Sequence, residues 1–252
     1  MTPRPPRPSR PPRLPWAAPL YVGAVQLGAY ATARLPARRR TELLRAHSTN
    51  VANLRAGRWG TLLTSAGFVE EPLPVPYGAA LLAVLGTAER RWGVRRAAGV
   101  FAAGHIGASL LVYAGLRART HPRGPEDPTP HAVDVGASYG FYATLGALAA
   151  SVPHRGVRTA ATAGLLALGI RPVLRPGRTF TDAGHLTALA LGTAIGAAIG
   201  TGRHTAHGTW HMAHGTRHTR KGGKAGIRGS RLTPTDRGYA VAGRRQRAGD
   251  TR

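Results

Sequence analysis

The run VDVGASYGFYATLGALAASV, residues 133–152, decides the fold because it is long, apolar and carries only one charge. That charge is Asp134, which follows a Pro-rich polar loop. An Asp at a helix start accepts hydrogen bonds from the free N–H groups of the first turn, so we expect Asp134 to cap a helix. About 20 apolar residues can cross a bilayer. The run therefore predicts a membrane-spanning helix with Ser138 in its first turns.

A second run, residues 180–200, has the same arrangement at its start. Asp182 precedes Gly184-His185 and opens an apolar, Gly/Ala-rich stretch, so we expect Asp182 to cap this helix in turn. If both helices enter the membrane from one side, Ser138 and His185 lie at similar depth. A serine nucleophile and its base require that proximity.

Four further apolar runs, at residues 14–35, 73–88, 97–116 and 157–170, bring the predicted spans to six. The sequence thus predicts an all-α, six-helix transmembrane domain over residues 14–200. A cleaved signal peptide is the alternative for the first run, because a basic leader precedes it; the later spans favour a membrane helix. The composition of residues 1–13 predicts a disordered basic tail. Residues 201–252 form a second tail, which is basic and rich in His and Gly.

The formal net charge is +25, and the chain has no Cys, which excludes disulfides and Cys-based metal sites. The basic residues are concentrated in the tails and short connections, and the tails lack interleaved aromatic residues, so no nucleic-acid partner is expected. Six spans place 22 Lys and Arg residues on the side of both termini and 13 on the other. The positive-inside rule then predicts a multi-pass protein of the bacterial cytoplasmic membrane with both termini in the cytoplasm.

Small residues recur at every fourth position in two of these runs. Gly192, Gly196 and Gly200 have this spacing in the sixth run, and Gly136 and Gly140 have it in the fourth. Small residues in register allow two membrane helices to approach closely. We therefore expect the fourth and sixth helices to be in contact.

Four stretches resemble the rhomboid family of intramembrane serine proteases and occur in the family's order: WGTLLTSA (59–66), ERRWG (89–93), GAS (136–138) and GH (184–185) followed by Ala188 and Gly192. The resemblance implies that Ser138 is the nucleophile and His185 the general base, a dyad without an acidic third member. It implies cleavage of a peptide bond in or near a transmembrane segment of a membrane-protein substrate, without a cofactor.

The chain departs from the family's pattern at two places. Tyr139 stands where the family usually has Gly, and residues 70–82 contain neither the His nor the Asn that helps to hold the oxyanion. Loss of one oxyanion donor typically costs about 10²–10³ in rate. The alternative function is therefore a catalytically impaired relative that binds transmembrane segments of client proteins. Each of the two residues, taken alone, also has a structural explanation. Ser138 would hydrogen-bond to its own helix backbone, and His185 would be a histidine at the membrane interface.

Residues 136–140 also match G-x-S-x-G, the nucleophile elbow of soluble α/β-hydrolases, but no alternating strand and helix pattern surrounds them. We expect His105 to be a packed or hydrogen-bonded histidine within a helix, and a role in substrate handling is the alternative. No metal is predicted in the active site. Candidate ligands for a metal in the tail, where disorder is favoured, are His204, His207, His211, His214 and His218.

Overall fold

The computed structural model describes residues 14–118 and 132–215, with side chains up to residue 200. These parts of the chain form α-helices, one short 3₁₀ helix (Ser65–Gly67) and no strand, so the predicted all-α fold is confirmed. The α-helices are α1 (Ala17–Ala33), α2 (Ala37–His47), α3 (Val51–Arg55), α4 (Thr61–Thr64), α5 (Val75–Trp92), α6 (Val94–Ala118), α7 (Ser138–Ala150), α8 (Arg155–Leu174) and α9 (Phe180–Gly215).

Three helical segments are long and apolar enough to cross a membrane: Val94–Ala118, Arg155–Leu174 and Phe180–Gly200. The helices α1 and α7 are shorter, with 17 and 13 residues, and α5 carries charged residues near its end. A six-span arrangement therefore stays a prediction. The backbone of α9 continues to Gly215, past the domain boundary predicted at residue 200.

Of the two compact units in the chain, Met1–Gly208 contains α1 to α8 and the start of α9. In the other, Thr209–Arg252, the structure describes only the backbone up to residue 215. The tail of residues 1–13 and the rest of the tail after residue 215 lie outside the described residues.

The helix α7 is the centre of the first unit, because nine of its 13 residues are buried. Its small residues allow neighbouring helices to approach its backbone on several sides. A Cβ atom at Gly140 would collide with the ring of Phe101 on α6, and one at Gly104 of α6 would collide with Ala143. A helix that is buried all round is apolar all round, which explains why this run decides the fold.

Two polar contacts fix α1 against α5. The Glu89 carboxylate, near the end of α5, accepts hydrogen bonds from the backbone N–H groups of Trp16, Ala17 and Ala18 at 2.9, 3.1 and 2.9 Å. At the other end of the pair, Gln26 Oε1 accepts from Leu73 N at 2.8 Å. The two helices are therefore antiparallel, and the free N–H groups at the start of α1 are satisfied by a side chain of α5.

The end of α5 and the turn that follows it contact two further helices, α6 and α7. Gly93 has a φ of 82°, a left-handed conformation that favours Gly and that lets α6 begin at the next residue. Arg91 donates from Nη2 to Ser151 O, 2.5 Å away, at the end of α7. A cation beside the free carbonyl groups of a helix end is favourable. The last turn of α5, which contains Glu89 and Arg91, therefore contacts both the start of α1 and the end of α7.

The segment between α1 and α5 is largely helical, because it contains α2, α3, α4 and the short 3₁₀ helix. Asn50 caps α3, since its Oδ1 accepts from Asn53 N at 2.8 Å. Asn53 Nδ2 donates to the carbonyl oxygens of Arg45 and Ser48 at 2.8 and 2.7 Å. Thr49 Oγ1 donates to Thr61 O of α4 at 2.9 Å. Polar side chains therefore hold α2, α3 and α4 together as one layer.

Candidate active site

Ser138 is the first residue of α7, and its side chain is half-buried. The preceding residue, Ala137, occupies the N-cap position and makes no side-chain capping bond. The prediction that Asp134 caps this helix is therefore wrong, because α7 begins four residues after Asp134. Instead, Asp134 Oδ2 accepts a hydrogen bond from the Tyr113 hydroxyl of α6 at 2.8 Å.

The segment just before Ser138 is held by the layer of α2, α3 and α4. Asp134 N donates to Ser48 Oγ at 2.7 Å, and Thr49 N donates to Asp134 O at 3.1 Å. Gly136 N donates to Ser65 O at 2.9 Å, and Gly136 has a φ of 141°, which favours Gly. These backbone bonds fix the position from which the chain enters α7 and so fix Ser138.

His185 lies in the second turn of α9, which begins with a capping box. Thr179 Oγ1 accepts from Asp182 N at 3.2 Å, and Thr179 N donates to Asp182 Oδ2 at 2.7 Å. Thr179 is therefore the cap, and the prediction that Asp182 is the cap is wrong. The reciprocal pair is the usual Ser/Thr-x-x-acid pattern at a helix start.

Two tyrosines of α7 contact the imidazole of His185. The ring centroids of Tyr142 and His185 are 4.5 Å apart at an interplanar angle of 35°, and those of Tyr139 and His185 are 5.6 Å apart at 77°. The Nε2 atom of His185 is buried without a hydrogen-bond partner among the described residues. Sequence reasoning missed Tyr142, although its position four residues after Ser138 places it on the same face of a helix.

The helices α7 and α9 are in close contact, as the small residues predict. A Cβ atom at Gly192 would fall on the carbonyl oxygen of Ala143, and one at Gly196 on that of Ala147. Both contacts advance in the same order along the two helices, so α7 and α9 are parallel. The Gly140 position does not contribute, since it faces Phe101 of α6.

No hydrogen bond joins Ser138 to His185 among those of the described residues. The structure brings their helices together and places both side chains near the starts of parallel helices. The assignment of Ser138 as nucleophile and His185 as base stays a prediction.

A different serine and histidine do form a hydrogen bond. Ser65 Oγ and His105 Nε2 are 3.0 Å apart, and Thr49 Oγ1 lies 2.9 Å from Ser65 Oγ. The exposed fractions of Ser65 and His105 are only 1% and 4%. The expectation that His105 is a packed, hydrogen-bonded histidine is confirmed. The hydrogen bond of this buried pair fixes the α2–α4 layer, through Ser65 at its end, to His105 of α6.

The described residues contain no group of three or more His, Cys, Asp or Glu side chains that could hold a metal ion. The five candidate histidines of the tail lie outside the residues whose side chains the structure describes: His204, His207, His211, His214 and His218.

No curated protein and no solved structure matches the chain. A family model described as rhomboid-like protein matches residues 10–205, which include α1 to α8 and the part of α9 that carries His185. The chain belongs to the rhomboid-like protein family.

Proposed function

We propose that this protein is an intramembrane serine protease in which Ser138 attacks the peptide bond and His185 acts as the base. The observation that carries the proposal is the contact between Tyr142 and His185, with ring centroids 4.5 Å apart. Residues four apart lie on the same face of a helix. Ser138 therefore lies on the face of α7 that the His185 ring contacts one turn further along.

His185 is suited to take a proton, because its Nε2 atom has no partner among the described residues. In the proposed reaction, Ser138 Oγ bonds to the carbonyl carbon of the substrate as its proton passes to His185. The imidazolium then gives that proton to the leaving amine, and the C–N bond breaks. In the second half of the reaction, His185 takes a proton from a water molecule whose oxygen bonds to the acyl carbon. The bond between that carbon and Ser138 Oγ then breaks, and the His185 imidazolium returns the proton to Ser138.

The start of α7 offers donors for the oxyanion. The first backbone bond of the helix runs from Phe141 N to Ala137 O at 2.9 Å. The N–H groups of Ser138, Tyr139 and Gly140 precede it, and helix geometry leaves such groups without intrahelical partners. Together with the positive end of the helix dipole they can stabilise a developing negative charge. They would act in place of the His and Asn that residues 70–82 lack.

The length of α7 bears on the substrate. Thirteen residues make a helix about 20 Å long, whereas the hydrocarbon core is about 30 Å thick. With the end of α7 at the cytoplasmic surface, as the six-span topology implies, the nucleophile at its start lies below the external surface. The proposed substrate is therefore a transmembrane segment whose scissile bond is reached from within the bilayer. With both termini in the cytoplasm, the start of α7 faces the external side of the membrane.

A second candidate function is favoured by the missing hydrogen bond between Ser138 and His185 and by the missing oxyanion residues of the second span. It is a relative that binds transmembrane segments of client proteins without cleaving them. In that case a photo-crosslinking transmembrane peptide should be captured equally by wild type and Ser138→Ala, and neither should cleave it.

Fluorophosphonate labelling of the purified protein in detergent tests the proposal. Wild type should be labelled, whereas Ser138→Ala and His185→Ala should lose the label. Ser151→Ala is the matched control, because Ser151 ends the same helix and its Oγ bonds Leu148 O at 3.0 Å. Labelling that persists in Ser138→Ala, or that is lost equally in Ser151→Ala, would refute the proposed role of Ser138.

A further inference from the structure

We infer that Tyr139 is a positioning residue that fixes the orientation of the His185 imidazole, an inference that rests on the proposed function. A serine protease needs its histidine held in one orientation, which an acidic residue does in the usual triad. No hydrogen bond joins His185 to a carboxylate among the described residues, because the nearby Asp182 is engaged by Thr179. The orientation of the ring must therefore come from packing.

Packing against two rings from one helix can supply that orientation. The Tyr142 ring is tilted by 35° relative to the His185 ring, with centroids 4.5 Å apart, and Tyr139 meets the same imidazole edge-on, with centroids 5.6 Å apart at 77°. Rotation about the last side-chain bond of a histidine is otherwise broad and roughly two-fold. A second contact from a different angle restricts that rotation further than the Tyr142 ring alone.

Tyr139 is itself held rigidly enough for this role. Its exposed fraction is 2%, and its ring lies between α6 and α9 with its centroid 6.0 Å from that of His105. The ring also occupies the space beside Gly184, where a Cβ atom would lie 2.5 Å from Tyr139 Cε1. The absence of a side chain at position 184 thus makes room for the ring next to His185.

This arrangement also explains how a bulky residue can follow the proposed nucleophile. Ser138 is half-buried, whereas the next side chain is directed into the helix interface. Consecutive residues of a helix face directions about 100° apart. Tyr139 therefore packs behind the site rather than over Ser138.

Two measurements on the full-length protein in detergent test the inference. The first is the NMR spectrum of the His185 ring, assigned with His185→Gln, since removal of a neighbouring aromatic ring changes its ring-current shift. The second is the rate of fluorophosphonate labelling per folded molecule. Tyr139→Leu should shift and broaden the His185 signals and slow labelling by about three- to tenfold, the range expected from one aromatic contact.

Two control variants separate positioning from general damage. Tyr139→Phe keeps the ring, so, unlike Tyr139→Leu, it should retain sharp His185 signals and most of the labelling rate. Tyr30→Leu makes the same substitution at a tyrosine of α1 with an exposed fraction of 52%, and should leave both measurements unchanged. If Tyr139→Leu does not fold, Tyr139→Met fills a similar volume without a ring and takes its place.

Unchanged His185 signals in the folded Leu or Met variant would overturn the inference, whether or not the protein is labelled. Changed signals with an unchanged labelling rate would also overturn the positioning role. Changed signals in a protein whose wild type is never labelled would refute the proposed function but leave Tyr139 as the residue that orients His185.

Discussion

Ser65 Oγ lies 3.0 Å from His105 Nε2, and both side chains are almost fully buried. Thr49 Oγ1 is within hydrogen-bond distance of the same Ser65 oxygen, so the serine is held from two sides. The carbonyl oxygen of Ser65 accepts from Gly136 N, two residues before Ser138. One residue thereby connects the α2–α4 layer, α6 and the start of α7.

Ser65→Ala should lower the free energy of unfolding by about 1–3 kcal/mol, because it leaves a buried His105 nitrogen without its partner. Thermal or denaturant unfolding in detergent measures the effect. Ser109→Ala is the matched control: Ser109 is equally buried on α6, but its Oγ has no partner among the described residues. The hypothesis fails if both substitutions have the same effect.

Gly192→Ala should destabilise the protein by about 1–3 kcal/mol or more, since the added methyl group would collide with the backbone of α7 at Ala143. Gly99→Ala provides the comparison, because Gly99 lies within α6 and a Cβ atom there meets nothing within 4 Å. Ala is favoured over Gly in a helix by about 1 kcal/mol, so this variant should be neutral or slightly stabilised. Similar unfolding temperatures for the two variants would contradict the close contact of α7 and α9.

Glu89→Ala should cost about 1.5–3 kcal/mol, because three backbone N–H groups at the start of α1 lose a charged acceptor. Glu42→Ala removes a carboxylate that pairs with Arg38 on an exposed face of α2, where the exposed fraction of Glu42 is 61%. Such pairs contribute only about 0.3–0.5 kcal/mol. Denaturant unfolding of both variants checks the prediction, which equal losses of stability would disprove.

Reporter fusions at residue 14 and after residue 201 should both give cytoplasmic signals. The expectation follows from six spans and from the excess of Lys and Arg on the side of both termini, 22 against 13. Alkaline phosphatase and a fluorescent protein that matures only in the cytoplasm give opposite readouts. One external terminus would exclude the six-span arrangement.

The sequence could predict the helices that carry Ser138 and His185 and the contact between them, because both depend on patterns within a run of about 20 residues. Gly192 and Gly196 face the backbone of α7 as their spacing suggests. The family resemblance was also visible, since it depends on short motifs in a fixed order, and the family model confirms it.

The capping residues were predicted wrongly for two different reasons. Thr179 and Asp182 form a capping box that the sequence contains, so the correct cap of α9 could have been found from the pattern alone. Asp134 is different, because its partners Tyr113 and Ser48 lie 21 and 86 residues away. Contacts at such separations depend on the tertiary fold, and a single sequence carries no local signal for them.

The contact between Glu89 and the start of α1 has a consequence for biosynthesis. The ribosome synthesises residues 16–18 more than 70 residues before it adds Glu89, whose carboxylate accepts hydrogen bonds from their N–H groups. The first helix can therefore reach its final capped state only after α5 has been synthesised and has packed beside it. A nascent chain stalled before residue 89 would hold an α1 whose first N–H groups lack this acceptor, and completion of α5 would supply it.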